Sequence, residues 1–327
     1  MKSLLEKAGL NSFFFCLIGA IVFAYLKPEW AGEASPVPLD NIAYWGVTLI
    51  FFFYGLKLNF QKLKEGLMNW KMHILIQCIT FIVFPVLVLI FKTFFYTDTY
   101  SQVWLGIFYL AALPSTVSSS VVMISIAKGN IPAGIFNASI SSILGIFITP
   151  VWMTAVMDKV DGDMDMASVL TKLCIQVLVP IILGLLLNRY LGGFAGKYKK
   201  LLGQFDQLII LIIVFNSFGE SFANKVFEPY SIQFILVLAA CMMALFFLVY
   251  SLSLFASRKL GFNDADTVTV IFCGSKKSLV QGAVMGAVLF GHSNNLGVIL
   301  LPIMLYHALQ LMAGSAIAQR MALMRKD

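Results

Sequence analysis

Apolar runs long enough to cross a membrane recur along most of this chain. Phe81–Phe91, interrupted only by Pro85, and Gln207–Phe215 lie within two such runs. A helix of about 20 apolar residues spans the roughly 30 Å hydrocarbon core of a bilayer. Of the 327 residues, 60% are hydrophobic and 12% are charged, whereas a soluble domain carries about 25% charged residues. The sequence therefore predicts an all-α polytopic membrane protein and excludes a soluble globular domain.

Ten transmembrane helices are predicted, joined mostly by short loops. They cover residues 11–27, 39–57, 71–92, 102–127, 131–153, 168–189, 205–222, 230–256, 265–290 and 295–318. The fourth and the ninth are interrupted by polar residues, so each half of the chain has its broken helix in fourth place. A duplicated unit of five helices inserts upside down, which predicts a 5+5 inverted repeat. The predicted units are residues 1–153 and 168–318, followed by a cytoplasmic tail, 319–327.

Lysine and arginine are distributed unequally between the two sides of this layout. With the N-terminus inside, sixteen of the 23 basic residues fall on the inner side and five on the outer side. Cytoplasmic loops carry such an excess, so we predict cytoplasmic N- and C-termini in the cell (inner) membrane. Orientation thus accounts for the net charge of +7, and nucleic-acid binding is not needed to explain it.

Two adjacent lysines, Lys276 and Lys277, lie inside the ninth apolar segment, next to Gly274. A lysine at the centre of a membrane helix costs about 2.5–3.5 kcal/mol on insertion scales, so such residues normally face the protein interior and serve a function. On a continuous helix Lys277 would share a face with Gln281, and Lys276 would point about 100° away. We therefore expect one lysine to face a cavity, while the other reaches the inner surface or a neighbouring helix.

The fourth segment contains the matching break, at Pro114. Proline removes a backbone donor and disfavours helical geometry at the residue before it. Four serines and one threonine follow within six residues. The hydroxyl groups could re-satisfy a kinked helix. Their number, and the matching break in the other half, favour a binding site of the kind that discontinuous helices form in secondary transporters.

The fifth and tenth segments add further polar residues to the predicted site. Asn137 and Ser141 are spaced i, i+4 and share a helical face; His307 and Gln310 lie in the tenth segment. Asp264 and Asp266 are predicted to form a solvated helix N-terminus. The predicted substrate-binding residues are Ser115, Thr116, Ser118, Ser119, Ser120, Asn137, Ser141, Gly274, Ser275, Lys276, Lys277, Ser278, Gln281, His307 and Gln310.

Several classes of protein are disfavoured by what the sequence contains. The three histidines are too scattered to suggest a metal cluster, and no Gly-x-x-x-x-Gly-Lys loop for nucleotide phosphates is present. Ser275 or Ser278 as nucleophile, with a neighbouring lysine as base, would be compatible with an intramembrane enzyme. The Gly-x-Ser-x-Gly turn that would favour an enzyme is absent, and we predict that the chain is not an enzyme.

Four runs of the sequence resemble the bile acid:sodium symporter superfamily, in its divergent branch of sodium/bile acid cotransporter seven and bacterial sodium-dependent transporters. They are Leu113 to Val121, Ala127 to Asn130, Ile135 to Ser139 and Cys273 to Ser278. The resemblance covers essentially the whole chain. It implies ten helices in a panel and a core, with broken helices four and nine crossing at their unwound centres.

The resemblance also implies an ion site, in which this chain departs from the sodium-coupled members. When the sequences are aligned on Gly274, Phe272 takes the position of a glutamate in those members, and Lys276 takes the position of a glutamine. Gln77, Ser119, Ser120 and Asn137 remain as possible sodium ligands. An ammonium at Lys276 could instead occupy the place of a sodium ion, carry a proton, or pair with an anionic substrate; the sequence does not choose between these hypotheses.

These observations predict a secondary-active transporter that moves a small, anionic organic solute by alternating access, without a cofactor. Sodium coupling, proton coupling and facilitated diffusion without a coupling ion all remain open. The alternative is a non-transporting membrane regulator or scaffold of ion entry with the same fold. The predicted partners are the solute and the lipid bilayer.

Overall fold

The computed structural model describes residues 12–32, 35–57, 69–95, 100–157, 171, 174–291 and 293–324. All regular structure in these ranges is helical. The α-helices are α1 (Ser12–Leu26), α2 (Leu39–Lys57), α3 (Trp70–Cys78), α4 (Phe84–Phe95), α5 (Ser101–Ala112), α6 (Ser118–Ile126), α7 (Ile131–Met157), α8 (Val179–Lys197), α9 (Lys199–Ala223), α10 (Ile232–Lys259), α11 (Asp264–Gly274), α12 (Leu279–Phe290) and α13 (Leu296–Met324).

Short helical turns of other types connect some of these helices. A 3₁₀ turn, Pro28–Trp30, follows α1, and a π-helical turn, Ile79–Val83, joins α3 to α4. A second π-helical turn, Cys174–Leu178, leads into α8. The turn at Ile79–Val83 frees backbone groups that the functional site uses.

Seven stretches among the described residues are long and apolar enough to cross a membrane. They are Leu39–Lys57, Trp70–Lys92, Ile131–Met157, Ile175–Lys197, Lys199–Ala223, Ile232–Lys259 and Leu296–Met324. The apolar helices α1 and α5 are shorter. The chain is therefore a multi-pass membrane protein, as its composition predicts.

Both predicted breaks are present, while some predicted helix ends are displaced. Helix α5 ends at Ala112 and α6 begins at Ser118; α11 ends at Gly274 and α12 begins at Leu279. Helix α9 begins at Lys199, six residues before its predicted start. Residue 11 of the predicted first segment, residues 168–170, 172 and 173 of the predicted sixth and residues 325–327 of the predicted tail lie outside the described residues. Residues 319–324 continue α13.

The helices form two layers. Helices α1, α2, α8 and α9 pack mainly against one another, while α3–α7 and α10–α13 form the second layer. Contacts between the layers run chiefly from α9 to α12 and α13, with a smaller contact between α2 and α12. Both broken spans belong to the second layer.

Glycines permit the closest helix contacts in each layer. In the first layer, a side chain on Gly184 would collide with the carbonyl oxygen of Phe52 in α2. In the second, a side chain on Gly106 of α5 would collide with the carbonyl oxygen of Ile299 in α13. Small residues are the usual means of close helix packing in membranes, where lipid removes the hydrophobic driving force between helices.

Candidate functional site

The two breaks lie against each other and are hydrogen-bonded to each other. Each contributes main-chain oxygens that its interrupted helix leaves without a partner. Apart from those of the lysine side chains, the bonds that join the two broken spans include Ser115 Oγ to the Cys273 carbonyl oxygen (2.6 Å), Ser120 Oγ to the Phe272 carbonyl oxygen (3.0 Å), and the Ser278 N–H to the Pro114 carbonyl oxygen (3.0 Å). The two broken spans are therefore in direct contact at their unwound segments.

The first break follows from Pro114. Leu113, the residue before it, is extended (φ −68°, ψ 154°) and ends α5, as the proline ring requires. The carbonyl oxygen of Ala112, at the end of that helix, accepts a 2.7 Å hydrogen bond from Thr149 Oγ1 of α7. The N–H of Ser115 donates to Ser141 Oγ, also on α7, at 2.9 Å. Helix α7 thus supports the unwound segment from behind.

The second break contains both lysines, so neither is helical. Ser275 caps α11, with its hydroxyl donating to the Ile271 carbonyl oxygen (2.7 Å). Ser278 is the extended N-cap of α12, and its hydroxyl oxygen accepts the N–H of Gln281 at 3.3 Å. Serine is a preferred residue at this position because it satisfies an orphan donor of the first turn.

Two alternatives were predicted for the second lysine, the inner surface or a neighbouring helix. Neither lysine reaches the surface, and Lys276 instead contacts Ser119 and Met123 of the neighbouring helix α6. Lys276 is 0% exposed and Lys277 is 1% exposed. The unwound backbone turns the two side chains toward different neighbours inside the second layer, instead of placing them 100° apart on one helix. The prediction that such lysines face the protein interior is confirmed for both.

The amine of Lys277 is surrounded by three main-chain oxygens. Its Nζ donates to the carbonyl oxygens of Thr80 (2.8 Å), Ala111 (2.6 Å) and Leu113 (2.8 Å). It also lies 4.2 Å from the centre of the Phe84 ring. An ammonium group has three N–H donors, so every donor of Lys277 has an acceptor.

Two sequence features supply these oxygens. The last carbonyls of a helix have no intrahelical donor, which frees Ala111 and Leu113 at the end of α5. In the π-helical turn the N–H of Phe84 bonds to the Ile79 oxygen. The next donor in that pattern would be residue 85, which is a proline and has no N–H, so the oxygen of Thr80 is left for Lys277.

The amine of Lys276 has a much poorer set of acceptors. Its Nζ donates to the Ser119 carbonyl oxygen at 3.2 Å and contacts the sulfur of Met123. The Phe272 ring lies 5.8 Å away, and Gly314 of α13 packs near Cε. A thioether sulfur is a weak acceptor. Among the described residues, Lys276 therefore has one strong acceptor for three donors.

Helix α13 fixes the backbone of the second break. The Oε1 of Gln310 accepts the Lys277 N–H, and its Nε2 donates to the Lys277 carbonyl oxygen, both at 2.8 Å. The same Nε2 lies 3.0 Å from His307 Nδ1. The Tyr306 hydroxyl donates to the Ser275 carbonyl oxygen at 2.6 Å. Gln310 was predicted to bind substrate, but both its amide oxygen and its amide nitrogen are hydrogen-bonded within the protein.

Most of the predicted serines are also used within the protein. The hydroxyls of Thr116 and Ser119 bond to each other at 2.8 Å. Ser118 is the first residue of α6, and its side chain lies outside the described part of the structure. Gln281 differs from these residues: its Nε2 makes a long bond (3.4 Å) to the Ser142 oxygen, and its Oε1 is buried without a partner among the described residues.

Asn137 belongs to a second polar cluster, between α3 and α7. Its Nδ2 lies 2.9 Å from His73 Nδ1, and Gln77 Nε2 lies 3.2 Å from its carbonyl oxygen. The His73 ring also packs on Phe136, with 4.4 Å between the ring centres. Sequence spacing gave no sign of His73, because it is 64 residues from Asn137. Only the i, i+4 relation of His73 to Gln77 on one helix indicated a shared face.

The four possible sodium ligands do not form one set of free oxygens. Gln77 and Asn137 are linked to each other, the Ser119 hydroxyl is hydrogen-bonded to the Thr116 hydroxyl, and the Ser120 hydroxyl donates to the Phe272 carbonyl oxygen. No group of three or more His, Cys, Asp or Glu side chains that could hold a metal ion occurs in the described ranges. The bonds that join the breaks involve no carboxylate, which is the strongest ligand for hard cations.

The prediction that Asp266 lies at a solvated helix N-terminus is wrong, because this residue is only 6% exposed. Its carboxylate accepts hydrogen bonds from three side-chain amides that precede three different helices. The donors are Asn69 (2.9 Å), Asn130 (2.8 Å) and Asn263 (3.0 Å). Charge-assisted bonds of this kind are stronger than neutral ones, so Asp266 ties the starts of α3, α7 and α11 together.

A second feature that sequence reasoning missed lies in the first layer. Lys57 Nζ of α2 forms a 3.2 Å ion pair with Asp206 Oδ2 of α9, and the other oxygen of Asp206 is buried without a partner among the described residues. An acidic residue near the start of an apolar segment was the available signal, since such a residue needs a partner.

Comparison with known proteins shows the family to which this chain is similar. Residues 11–323 match the SBF-like CPA transporter family. An uncharacterized protein of Pseudomonas aeruginosa, PA2026, is 35% identical over 97% of this chain and 94% of its own length. Escherichia coli YfeH, named as a candidate symporter, is 34% identical over 95% of this chain and 92% of its own. Sodium/bile acid cotransporter 7 of Xenopus tropicalis is 30% identical over 96% and 92%.

These matches extend over nearly the whole chain and include both broken spans. The family, YfeH and sodium/bile acid cotransporter 7 are described as transporters and not as enzymes, in agreement with the prediction from sequence. The chain belongs to the SBF-like CPA transporter family.

Proposed function

We propose that this protein is a secondary-active transporter for a small organic anion. The observation that carries the proposal is the amine of Lys276, which is fully buried beside the contact between the two breaks and has one carbonyl acceptor. A buried charge is costly unless it is paired. An anionic group on a solute would give Lys276 the partner that the protein does not provide.

The proposed movement is alternating access between the two layers. Both breaks lie in the second layer, and the first layer contacts that layer mainly through α9. Helices that carry a broken-helix site commonly rock as a unit against the rest of a transporter. Gln281 of α12 is the proposed second solute contact, because its buried Oε1 lacks a partner among the described residues.

The proposal also includes the number of spans, the inverted repeat and the orientation of the chain in the membrane. The grouping of α1 and α2 with α8 and α9 supports ten spans in an inverted repeat, because these helices hold the first two places in each predicted half. The proposed units remain residues 1–153 and 168–318. The positive-inside distribution supports cytoplasmic termini in an inner membrane.

Two driving forces are proposed for test, a sodium gradient and a proton gradient. The names of relatives such as sodium/bile acid cotransporter 7 support sodium. The resemblance to the sodium-coupled members aligns Phe272 with a glutamate and Lys276 with a glutamine. The loss of these two oxygen ligands supports a different coupling ion.

The experiment combines ligand binding with transport. A thermal-shift screen of carboxylates, sulfonates and phosphates, with and without sodium, is run on wild type, Lys276→Ala and Lys200→Ala. Lys200 is an exposed lysine and serves as the matched control. We expect anion stabilisation of wild type and Lys200→Ala that is lost in Lys276→Ala.

The stabilising anion is then supplied to liposomes under a sodium gradient, a proton gradient or neither. Accumulation under one gradient identifies the coupling ion. A folded wild-type protein that moves none of the stabilising anions under any condition would contradict the proposal and favour a non-transporting regulator.

A further inference from the structure

The surroundings of the Lys277 amine have the chemistry of a cation site. Three neutral carbonyl oxygens converge on one point, at 2.6 to 2.8 Å from Nζ. The face of the Phe84 ring closes the site at 4.2 Å. Carbonyl oxygens and aromatic faces are the groups that stabilise a bare cation in a protein.

The oxygens belong to the backbone and do not depend on the lysine. Ala111 and Leu113 are fixed by the end of α5, and Thr80 is fixed by the π-helical turn before Pro85. Gln310 holds the main chain of residue 277 through its N–H and its carbonyl oxygen. Shortening the side chain of Lys277 would therefore leave the three oxygens converging on an open position.

The distances and charge of the site select the class of ion. Ca²⁺ binds oxygen at about 2.3–2.6 Å and Mg²⁺ at about 2.0–2.1 Å, usually with carboxylates among the ligands. The oxygens around Lys277 are neutral and lie farther from the site centre. A single positive charge of larger radius, such as potassium or an ammonium ion, fits this arrangement better than a divalent ion.

We propose that the three carbonyl oxygens around Lys277 form a monovalent-cation site, which the chain's own amine occupies. In the native protein this cation is covalently tethered and cannot exchange with ions in solution. Removing the amine would convert the position into a site for a free monovalent cation. This proposal goes beyond transport and holds whether or not the protein moves a solute.

The test uses purified full-length Lys277→Ala, with thermal unfolding as the readout. The protein is titrated with potassium, sodium or n-propylammonium chloride, and choline chloride keeps the ionic strength constant. Propylammonium restores the three methylenes and the amine that alanine lacks. We expect a saturable rise in melting temperature, largest for propylammonium or potassium, that is absent in wild type.

Two further variants make the result specific. Lys277→Met fills the space without a charge and should show no cation-dependent rise. Lys276→Ala removes the neighbouring buried amine, which has one carbonyl acceptor, and should also show none. A folded Lys277→Ala protein that responds to the three cations no more than wild type would overturn the proposal, whereas a response equal in all three variants would show a general salt effect and overturn it as well.

A comparison of methionine variants applies if Lys277→Ala does not fold. Lys277→Met leaves three buried oxygens without a donor, and Lys276→Met leaves one. The proposal then requires Lys277→Met to unfold at the lower temperature. Equal melting temperatures, or a lower one for Lys276→Met, would refute it.

Discussion

The Nζ of Lys277 lies 2.8 Å from the carbonyl oxygen of Thr80, although 197 positions of sequence separate the two residues. The bond connects the break before α12 with the π-helical turn between α3 and α4. Lys276, the adjacent residue, makes no comparable set of bonds and donates to a single carbonyl oxygen at 3.2 Å. Two lysines that look equivalent in sequence therefore occupy different chemical environments, one saturated and one open to a partner.

Gln281 and Gln310 offer a direct comparison between a solute contact and a structural contact. We expect Gln281→Met to leave thermal stability within about 0.5 kcal/mol of wild type, as for a substitution that removes little bonding. Its affinity for the stabilising anion should fall about tenfold, the equivalent of one hydrogen bond of roughly 1.4 kcal/mol.

Gln310→Met is the matched control for Gln281→Met. It loses both bonds to the backbone of Lys277, and we expect destabilisation of about 2–4 kcal/mol from two buried backbone groups left unpaired. Thermal unfolding and anion titration measure both variants. Unchanged anion affinity in Gln281→Met would remove Gln281 from the proposed site.

Tyr306→Phe tests the bond that fixes the second break. The variant leaves the buried carbonyl oxygen of Ser275 without its 2.6 Å donor, and we expect a loss of about 1–3 kcal/mol of unfolding free energy. Tyr250→Phe is the same substitution at a half-buried tyrosine of α10 and should change the unfolding free energy by less than about 0.5 kcal/mol. Similar melting temperatures for the two variants would show that the Tyr306 hydroxyl contributes little to stability.

Asp266→Asn tests the junction of α3, α7 and α11. The substitution replaces a charged acceptor of three amide bonds with a neutral amide that has one acceptor oxygen, so we expect a loss of roughly 2–4 kcal/mol. Asp264→Asn changes an exposed carboxylate in the same helical turn and should have a smaller effect. Chemical denaturation compares the two, and hydrogen exchange should show faster opening of residues 127–130 only in Asp266→Asn.

Gly297→Ala tests the fit of α13 against α9 across the two layers. A Cβ at this position would lie 2.7 Å from Ser221 Oγ and 2.8 Å from the Ser217 carbonyl oxygen, so the layers could not close as tightly at this end. Gly203→Ala, which has no neighbour within 4 Å, should stabilise α9 by up to about 1 kcal/mol through helix propensity.

Opposite signs are therefore expected in thermal unfolding, with Gly297→Ala destabilised. The same variant should also slow solute transport, because closure at this end is part of the proposed cycle. Stabilisation by both substitutions would show that the contact at Gly297 is loose.

The sequence was sufficient for the features that local physics determines. Apolar run length predicted a membrane protein, and Pro114 and Gly274 predicted the two breaks to within a few residues. The cost of exposing an amine to lipid predicted that at least one lysine faces the protein interior; that both are buried is seen only in the structure. Recognition of the Cys273-to-Ser278 run gave the family, and that family implied the crossing of the broken spans.

The tertiary structure alone decided what each polar side chain contacts. A sequence pattern assumes a regular helix, and within the unwound segment at residues 275–278 the 100° spacing of side chains no longer applies. The contacts of His73 with Asn137, of Asp206 with Lys57 and of three asparagines with Asp266 all depend on the packing of helices that are distant in sequence. The partners of a buried polar group are set by which carbonyls the neighbouring helices leave free, and that depends on how the helices cross, not on the order of residues along the chain.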